Sequence, residues 1–282
     1  MSGDRDAAGE IRARGLAARE DLTALEATAR AIFGEGERRP GWLARKIRRE
    51  AVVPGLSVIV FEVGRPEVVI GYALVGQPVS LPGVARTAGV GVLPGWRGRG
   101  VGRLLIAEVR RLAAAAGLAG LEVLADGRSR GFFAGLGLRE RAASWTLLAA
   151  GLGLHAGPRG RARAWEQAGM SAFSEWLAEA WTGTPEGSRW SLAIGGGAGG
   201  VAHVSAEGRA WLVQRLLLPP RASGAAAVVR AAAAVRAYAP RGAPTLLYGC
   251  PAGAPATAAL LRGGWSRVQE GFVMRAELGD DL

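Results

Sequence analysis

The fold is decided by one stretch of the sequence, Val92-Leu93-Pro94-Gly95-Trp96-Arg97-Gly98-Arg99-Gly100-Val101-Gly102. It follows an apolar run typical of a β-strand and leads into a segment whose apolar residues recur at helical spacing. A strand that stops at a proline and enters a helix through glycines points several free backbone N–H groups at one small volume. We therefore predict an anion site that suits a pyrophosphate. Glycine at positions 98, 100 and 102 would leave room for phosphate oxygens, and Arg97, Arg99 and Arg103 would add positive charge.

Around this turn, the periodicity predicts a mixed α/β order. Runs rich in β-branched residues and bounded by glycine or proline are predicted strands, and runs with apolar residues three and four apart are predicted helices. The predicted strands are Ile11 to Leu16, Leu56 to Val63, Val68 to Val75, Ala85 to Leu93, Leu121 to Leu124 and Ser144 to Leu148. The predicted helices are Asp21 to Phe33, Gly41 to Glu50, Gly98 to Gly117 and Ser129 to Leu136.

The second half of the chain repeats this order, which predicts a duplication. An apolar strand that ends in proline, Trp211 to Pro219, is followed by a helix, Gly224 to Tyr238. A strand, a helix and a β-like segment then close the chain, at Thr245 to Gly249, Pro255 to Leu261 and Gly271 to Arg275. We therefore predict two domains, 1–150 and 151–282, joined by a linker near Gly151 to Arg163 that is rich in glycine and arginine.

The turn resembles the pyrophosphate loop of the GNAT superfamily of N-acetyltransferases, which reads Arg or Gln, any two residues, Gly, any residue, and Gly or Ala. Arg97, Gly100 and Gly102 fill these places, and Val92 and Pro94 match the usual lead-in of the family. Further along the chain, the family's usual Asn, Ala, Phe-Tyr and Gly-Phe places are held by Asp126, Ser129, Phe132, Phe133, Gly137 and Leu138. A short motif gains its meaning from context, which here is a strand before the turn and a helix after it.

This resemblance implies a fold, a co-substrate and a reaction. The fold would be α/β, with two tandem GNAT-like domains that each have a mixed, mostly antiparallel sheet flanked by helices. The co-substrate would be acetyl-CoA, whose acetyl group would pass to a primary amine of a small-molecule or peptide acceptor. The residues that the resemblance assigns to coenzyme binding are Val92, Leu93, Arg97, Gly98, Arg99, Gly100, Val101, Gly102, Arg103, Asp126, Ser129, Phe132 and Phe133.

The catalytic residues stay unassigned, because the sequence departs from the family where an acid and a base usually stand. The family often has a tyrosine that can protonate the departing thiolate, whereas this chain has Phe133, and phenylalanine has no proton to give. The central strand offers only Arg86 and Thr87 as polar side chains. The other candidates are Glu62, Tyr72 and Asp126 as bases, and the N–H of Val92 or Leu93 as the group that polarises the thioester carbonyl. A second hypothesis is therefore a catalytically silent acyl-CoA-binding or sensing protein.

A fainter copy of the loop lies in the second half. Arg221, Gly224 and Ala226 satisfy the same pattern directly after Pro219 and Pro220. The prolines reduce the number of usable N–H groups. We therefore expect this copy to be degenerate and the coenzyme to occupy the first half, with the second half serving as a wall of the acceptor cleft or as a built-in dimer partner.

The numbers of cysteines and histidines and the hydropathy pattern argue against disulfide-stabilised, metal-binding and membrane-spanning proteins. The single cysteine, Cys250, allows no intramolecular disulfide, which is typical of a reducing compartment. His155 and His203 lie far apart without a nearby cysteine or acidic cluster, so we expect no metal site. No window reaches ~18 uninterrupted apolar residues, so we expect a soluble, cytoplasmic protein without a membrane partner.

The net charge of +11 comes almost wholly from arginine, since Lys46 is the only lysine among the 35 basic residues. A basic surface attracts polyanions of any kind, which makes a nucleic-acid-associated module a third hypothesis. The arginines are scattered and form no stripe interleaved with aromatic residues, so nucleic acid is the less favoured partner. The sequence leaves the oligomeric state open.

Overall fold

Two compact units make up the structure. A computed structural model describes residues 10–16, 19–34, 41–151, 169–175, 178–194, 199–222 and 224–279. The first unit comprises Met1–Val123 with Ala276–Leu282, and the second comprises Leu124–Arg275. Each unit has its own hydrophobic core.

The first unit is a sheet with helices on both faces. Its strands are β1 (Ile11–Gly15), β2 (Val58–Glu62), β3 (Arg65–Gly76), β4 (Val84–Val92) and β5 (Gly120–Ala125, as far as Val123), and its helices are α1 (Arg19–Phe33), α2 (Trp42–Arg49) and α3 (Val101–Ala115). The strands follow the order β1-β2-β3-β4-β5. Neighbours are antiparallel except β4 and β5, which run parallel. A parallel pair needs a crossover connection, and α3 provides it.

The two faces of this sheet are covered by different helices. An added Cβ atom at Gly71 of β3 would lie 2.9 Å from Val101 Cγ1 and 3.3 Å from Leu105 Cδ1, so α3 packs directly on β3. The next residue, Tyr72, points to the opposite face because successive side chains of a strand alternate. There it joins a core cluster with Leu25 of α1 and Leu43 of α2.

The second unit likewise consists of strands of mixed direction and helices. Its elements are α4 (Arg130–Ala134), β6 (Arg139–Ala149), β7 (Ser171–Glu175), α5 (Ala178–Thr182), β8 (Arg189–Ile194), β9 (Gly200–Glu207), β10 (Ala210–Leu218), α6 (Ala225–Ala237), β11 (Thr245–Pro251), α7 (Pro255–Arg262) and β12 (Ser266–Glu277, as far as Arg275). The strand order is β12-β6-β11-β10-β9-β8, and β7 pairs with β10 off this path. Among the strand pairs described in this unit, β10 and β11 run parallel and the others are antiparallel. Trp211, Leu216 and Val228 lie in its core.

The predicted duplication and fold class are confirmed. In each half, two antiparallel pairs are followed by one parallel pair, as β2-β3-β4-β5 and as β8-β9-β10-β11. The helices α4 and α7 end alike, because Leu138 N–H donates to the Phe133 carbonyl at 3.1 Å and Trp265 N–H donates to the Leu260 carbonyl at 3.2 Å. A glycine with positive φ stands directly before each of these donors, Gly137 at 80° and Gly264 at 88°.

Part of the second half was not predicted. No element was expected between residues 164 and 209, yet this region contains β7, α5, β8 and β9. Buried polar residues explain the omission, since His203 and Ser205 of β9 are only 4% and 1% exposed and hide the apolar pattern that marks a strand. Burial lowers the pKa of His203 to about 4, and its ring stacks on that of Trp181 at 4.2 Å. The predicted linker, apart from Gly151, lies outside the described residues.

Strand β6, which closes the first half of the sequence, pairs with strands of the second half. Its residues Ser144 to Ala149 pair with β11, and along its length it also pairs with β12. This pairing places β6 in the second compact unit. The predicted boundary of the repeats at residue 150 stays a prediction, because it concerns the sequence repeat and not the contacts.

Replacing Gly71 with valine should destabilise the first unit. The added side chain would overlap Val101 and Leu105, and overpacking of a core costs about 1 to 3 kcal/mol of unfolding free energy. Urea denaturation measures the change, with Gly64→Val as the control, since nothing lies within 4 Å of a Cβ atom at Gly64. Equal losses of unfolding free energy in the two variants would contradict the packing of α3 on β3.

Candidate functional site

The turn between β4 and α3 has the geometry of a helix start with free N–H groups. A short 3-10 turn, Pro94–Trp96, follows β4. The first backbone hydrogen bond of α3 is donated by Leu104 N–H to the Gly100 carbonyl at 3.0 Å. The N–H groups of the first turn of a helix have no partner within the helix, and they lie at the positive end of its dipole. This arrangement can bind an anion.

Two glycines give the turn its backbone conformation. Gly98 has φ of 77° and Gly100, which caps α3, has φ of 86°. Residues other than glycine rarely adopt this left-handed backbone conformation. Nothing lies within 4 Å of an added Cβ atom at either residue, so the space beside them is open. Gly102 lies in the first helical turn of α3. The turn therefore needs glycine for its conformation as well as for the room that the sequence predicts.

The three predicted arginines surround the turn. The Nε of Arg97 donates to the Val92 carbonyl at 3.2 Å, and the guanidinium of Arg99 lies 5.5 Å from the centre of the Trp96 ring. Arg103 stands in the first turn of α3. All three side chains are exposed, so their attraction for an anion is screened by salt.

Strands β4 and β5 pair over only a short distance. Their parallel register is confined to Val84–Arg86 and Gly120–Glu122. On its other edge, β4 stays paired with β3 as far as Val92. The rest of β4, from Thr87 to Val92, is therefore not paired with β5, and the two strands form a fork whose base is at Arg86.

The hydrogen bonds show which N–H groups of β4 face this fork. Leu93 N–H donates to the Ile70 carbonyl of β3 at 2.9 Å. Because directions alternate along an antiparallel strand, Val92 and Val90 turn their N–H groups to the edge on the β5 side. Of the two N–H groups expected to polarise a thioester carbonyl, that of Leu93 is thus already used in the sheet. The N–H of Val92 faces the fork.

The start of α4, in the second unit, is fixed by a reciprocal pair of hydrogen bonds. Asp126 N–H donates to Ser129 Oγ at 3.0 Å, and Ser129 N–H donates to Asp126 Oδ1 at 2.7 Å. The Ser129 hydroxyl also donates to Asp126 Oδ1 and is the main cause that lowers the pKa of this carboxyl group. A carboxylate with a lowered pKa is a weaker base. Asp126 therefore shapes the entry to α4 and is poorly suited to act as a general base.

The two phenylalanines of α4 have different environments. Phe133, at the family's tyrosine position, is only 5% exposed, whereas Phe132 is 38% exposed. Their rings contact edge to face, with centroids 5.0 Å apart. The sequence could not decide which of two adjacent aromatic residues is buried.

The remaining candidates for chemistry are less suitable. Tyr72 is 2% exposed within the core of the first unit, and Glu62 lies at the end of β2 beside the β2–β3 turn. Burial raises the pKa of the Cys250 thiol to about 12, which makes it a poor nucleophile. Among the described residues, no three His, Cys, Asp or Glu side chains are grouped so that they could hold a metal ion. Within the same residues, no helix is long and apolar enough to cross a membrane.

Two ion pairs near the fork were missed by the sequence reasoning. Lys46 Nζ lies 2.5 Å from Glu50 Oε1 on α2, and Arg86 Nη1 lies 3.4 Å from Glu122 Oε1 at the base of the fork. The spacing of Lys46 and Glu50, four residues apart on a predicted helix, is a signal that could have found the first pair. The second pair depends on the register of β4 and β5, which has no local signal.

The corresponding fork of the second half is occupied by its own chain. Strands β10 and β11 pair only over Trp211–Val213 and Thr245–Leu247. Beyond that point β9 holds one edge of β10, and β7 pairs with β10 from Arg215 to Leu218, so β7 must take the edge on the β11 side. An added Cβ atom at Gly249 of β11 would lie 2.5 Å from the carbonyl carbon of Glu175 in β7. Strand β7 therefore lies between β10 and β11.

The turn after β10 also differs from the one after β4. A 3-10 turn, Pro220–Ala222, follows Pro219, and α6 is capped by Gly224. The φ of Gly224 is −67°, so this cap does not repeat the left-handed conformation of Gly100. Pro219 and Pro220 have no N–H to donate.

Comparisons with known proteins agree with this architecture. The sequence profile of the acetyltransferase (GNAT) family matches residues 22–138. A GCN5-related N-acetyltransferase from Sphaerobacter thermophilus aligns with 96% of this chain and 98% of its own, at 15% identity and a TM-score of 0.62. A tandem GNAT protein from the clavulanic acid biosynthesis pathway aligns with 96% of this chain and 100% of its own, at 18% identity and a TM-score of 0.58.

A third similar structure is a GCN5-related N-acetyltransferase from Anabaena variabilis, which aligns over 96% of this chain and 73% of its own, at 11% identity and a TM-score of 0.56. The comparison with curated proteins gave no match. At these identities the solved structures establish the fold, and the sequence profile assigns residues 22–138 to the family. Residues 22–138 therefore form a domain that matches the GNAT family of acetyltransferases, and the chain as a whole has the fold of a tandem GNAT protein.

Proposed function

We propose that this protein is an acetyl-CoA-dependent N-acetyltransferase that moves an acetyl group to a primary amine of its acceptor. The observation that carries the proposal is the meeting of two features on β4. The strand leaves β5 after Arg86, and it ends in a turn with left-handed glycines and free N–H groups. The family domain, residues 22–138, includes both features.

The turn is proposed to hold the pyrophosphate of the coenzyme. The N–H groups at the start of α3 would donate to phosphate oxygens, and Arg97, Arg99 and Arg103 would add charge. The coenzyme supplies a reactive thioester when bound. The N–H of Val92 would then donate to its carbonyl oxygen, which stabilises negative charge that develops there. In the second unit, we assign Asp126, Ser129, Phe132 and Phe133 to the region that borders the coenzyme, as the family resemblance implies.

The second half is proposed to bind no coenzyme. Its fork contains β7, and its turn lacks both the left-handed cap and the N–H groups of Pro219 and Pro220. One coenzyme per chain is therefore expected. The second half would instead serve as a wall of the acceptor cleft or as an internal dimer partner.

One observation favours a catalytically silent acyl-CoA-binding protein as the second candidate. The family's tyrosine position is Phe133, which is buried and has no proton for a departing thiolate. Asp126, the carboxylate at the entry to α4, is committed to Ser129. A silent protein would bind coenzyme A at the same turn without amine-dependent turnover.

Coenzyme A at millimolar concentration should raise the melting temperature of the protein, because a ligand that binds only the native state stabilises it by about 2.7 kcal/mol at 100 times its Kd. Gly100→Val should abolish this shift by disturbing the cap of α3. Gly117→Val is the matched control, since Gly117 has φ of 74° and open space beside it at the other end of α3. An unchanged shift in the Gly100 variant, or no shift in the parent, would remove the basis for the proposed site.

Incubation of the protein with acetyl-CoA and a panel of primary amines should release free coenzyme A in an amine-dependent manner. The release is measured by thiol titration, and mass spectrometry of the amines identifies the acetylated product. Stabilisation by coenzyme A without any amine-dependent release would favour the silent binding protein over the transferase.

Replacing Arg97 and Arg99 together with glutamine should weaken coenzyme A binding, by about tenfold for each guanidinium that contacts phosphate. The variant should also be less sensitive to salt than the parent, because exposed charge pairs are screened. Titration calorimetry at several salt concentrations measures both effects. Arg221→Gln is the control in the second half and should change little. A loss of binding in the Arg221 variant, with normal binding in the double variant, would place the coenzyme in the second half and contradict the proposed site.

A further inference from the structure

The single lysine of the chain lies against the strand that leads to the proposed coenzyme site. Its Cε atom would be 3.5 Å from a Cβ atom at Gly89 of β4. Lys46 Nζ pairs with Glu50 Oε1 at 2.5 Å, and the two side chains are 22% and 10% exposed. This is a half-buried ion pair on the α2 face of β4, and the proposed function gives it no role.

The C-terminal end of α2 lies on the same face of the sheet, toward the base of the fork. An added Cβ atom at Gly76 would meet the carbonyl oxygen of Glu50, so the side-chain direction of Gly76 is toward the end of α2. Gly76 is paired with Arg86 in the register of β3 and β4. Paired residues project to the same face of a sheet, so Arg86 shares the face on which Lys46 and Glu50 lie.

Lys46 contacts β4 at the start of the segment whose N–H groups face the fork. Gly89, which Lys46 contacts, is followed by Val90, whose N–H faces the β5 side of β4, as that of Val92 does. A thioester carbonyl bound to either N–H would lie along the strand segment that begins at Gly89. Because β5 is paired with β4 only as far as Arg86, β5 does not pair with this segment.

Lysine differs from arginine in one chemical respect. The remaining basic residues are arginines, whose guanidinium stays protonated in proteins. A lysine ammonium can lose a proton and become a nucleophilic amine. An arginine at position 46 could keep the ion pair with Glu50, but it could not form an amide. Lys46 can therefore be acylated, which none of the other 34 of the 35 Lys and Arg residues can, since all of those are arginines.

We propose that Lys46 is an acyl acceptor within the chain, so that the protein acylates itself at this residue. The inference rests on the proposed binding of acetyl-CoA. In the step, Glu50 takes a proton from the Lys46 ammonium, and Nζ attacks the thioester carbonyl. The bond from Nζ to the acyl carbon forms, the bond from carbon to sulfur breaks, and the coenzyme leaves as a thiol after it takes up the second proton of the nitrogen.

Self-acylation would change the face of β4 that Lys46 covers. The amide product has no charge, so the ion pair with Glu50 is lost. Once Glu50 has passed its proton to solvent, a carboxylate that is only 10% exposed stands without this cation. The acylated chain is therefore a chemically distinct form of the protein, with altered charge next to the fork.

The test is to incubate the folded protein with acetyl-CoA in the absence of any amine and to follow its intact mass. We expect the addition of one acetyl group, which peptide mapping assigns to Lys46, and the addition of one propionyl group when propionyl-CoA is used. Lys46→Arg should keep the ion pair and gain no acyl group. Glu50→Gln should slow the addition on the order of 10²-fold, as expected for loss of a general base.

Two controls separate self-acylation from chemical acetylation of an accessible amine. Gly100→Val, which should not bind coenzyme A, and the protein unfolded in urea should both acquire acetyl groups much more slowly. Equal rates in these controls, or no acetyl group on Lys46 in a protein that coenzyme A stabilises, would overturn the inference and leave the proposed function intact. A protein that coenzyme A does not stabilise would instead contradict the proposed function, and the inference would fall with it.

Discussion

The separation of β4 from β5 beyond Arg86 is the constraint on which the rest of the first unit depends. A strand edge carries a row of N–H and C=O groups, and buried groups of this kind must find partners. Beyond Arg86, β5 does not supply them to β4. The amide groups of a coenzyme arm could do so, and a pyrophosphate would then reach the turn at the end of the strand. Under the proposed function, this would account for the position of the left-handed glycines, Gly98 and Gly100, at the end of the strand.

The second half meets the same constraint with its own backbone. Its central strands separate after Val213 and Leu247, and β7 pairs with the edge of β10 that becomes available. Gly249 permits this close approach, because a side chain there would collide with Glu175. The two halves therefore share one topology but satisfy the open edge in different ways. This difference is consistent with a second turn that contains two prolines and has no left-handed glycine at its helix cap.

Local patterns were sufficient to predict β4, the turn and α3, because the apolar period changes from strand to helix within a few residues of Gly98. Features that depend on strand register or on the orientation of a helix against the core could not be predicted. The pairing of Arg86 with Glu122 needs the alignment of two strands, and the burial of Phe133 in place of Phe132 needs the orientation of a short helix. Strand β9 was overlooked because His203 is a polar residue in a buried position, where the energetic cost is reduced by keeping its ring neutral.

Strand β6 lies between β11 and β12, both from the end of the chain. Residues 1–150 on their own could not satisfy both edges of their closing strand. If the two halves were separate polypeptides, this pairing would be a bimolecular association that weakens on dilution. In one chain it is intramolecular, so the effective concentration of one half around the other does not depend on how much protein is present. The covalent connection thus makes completion of the sheet independent of expression level.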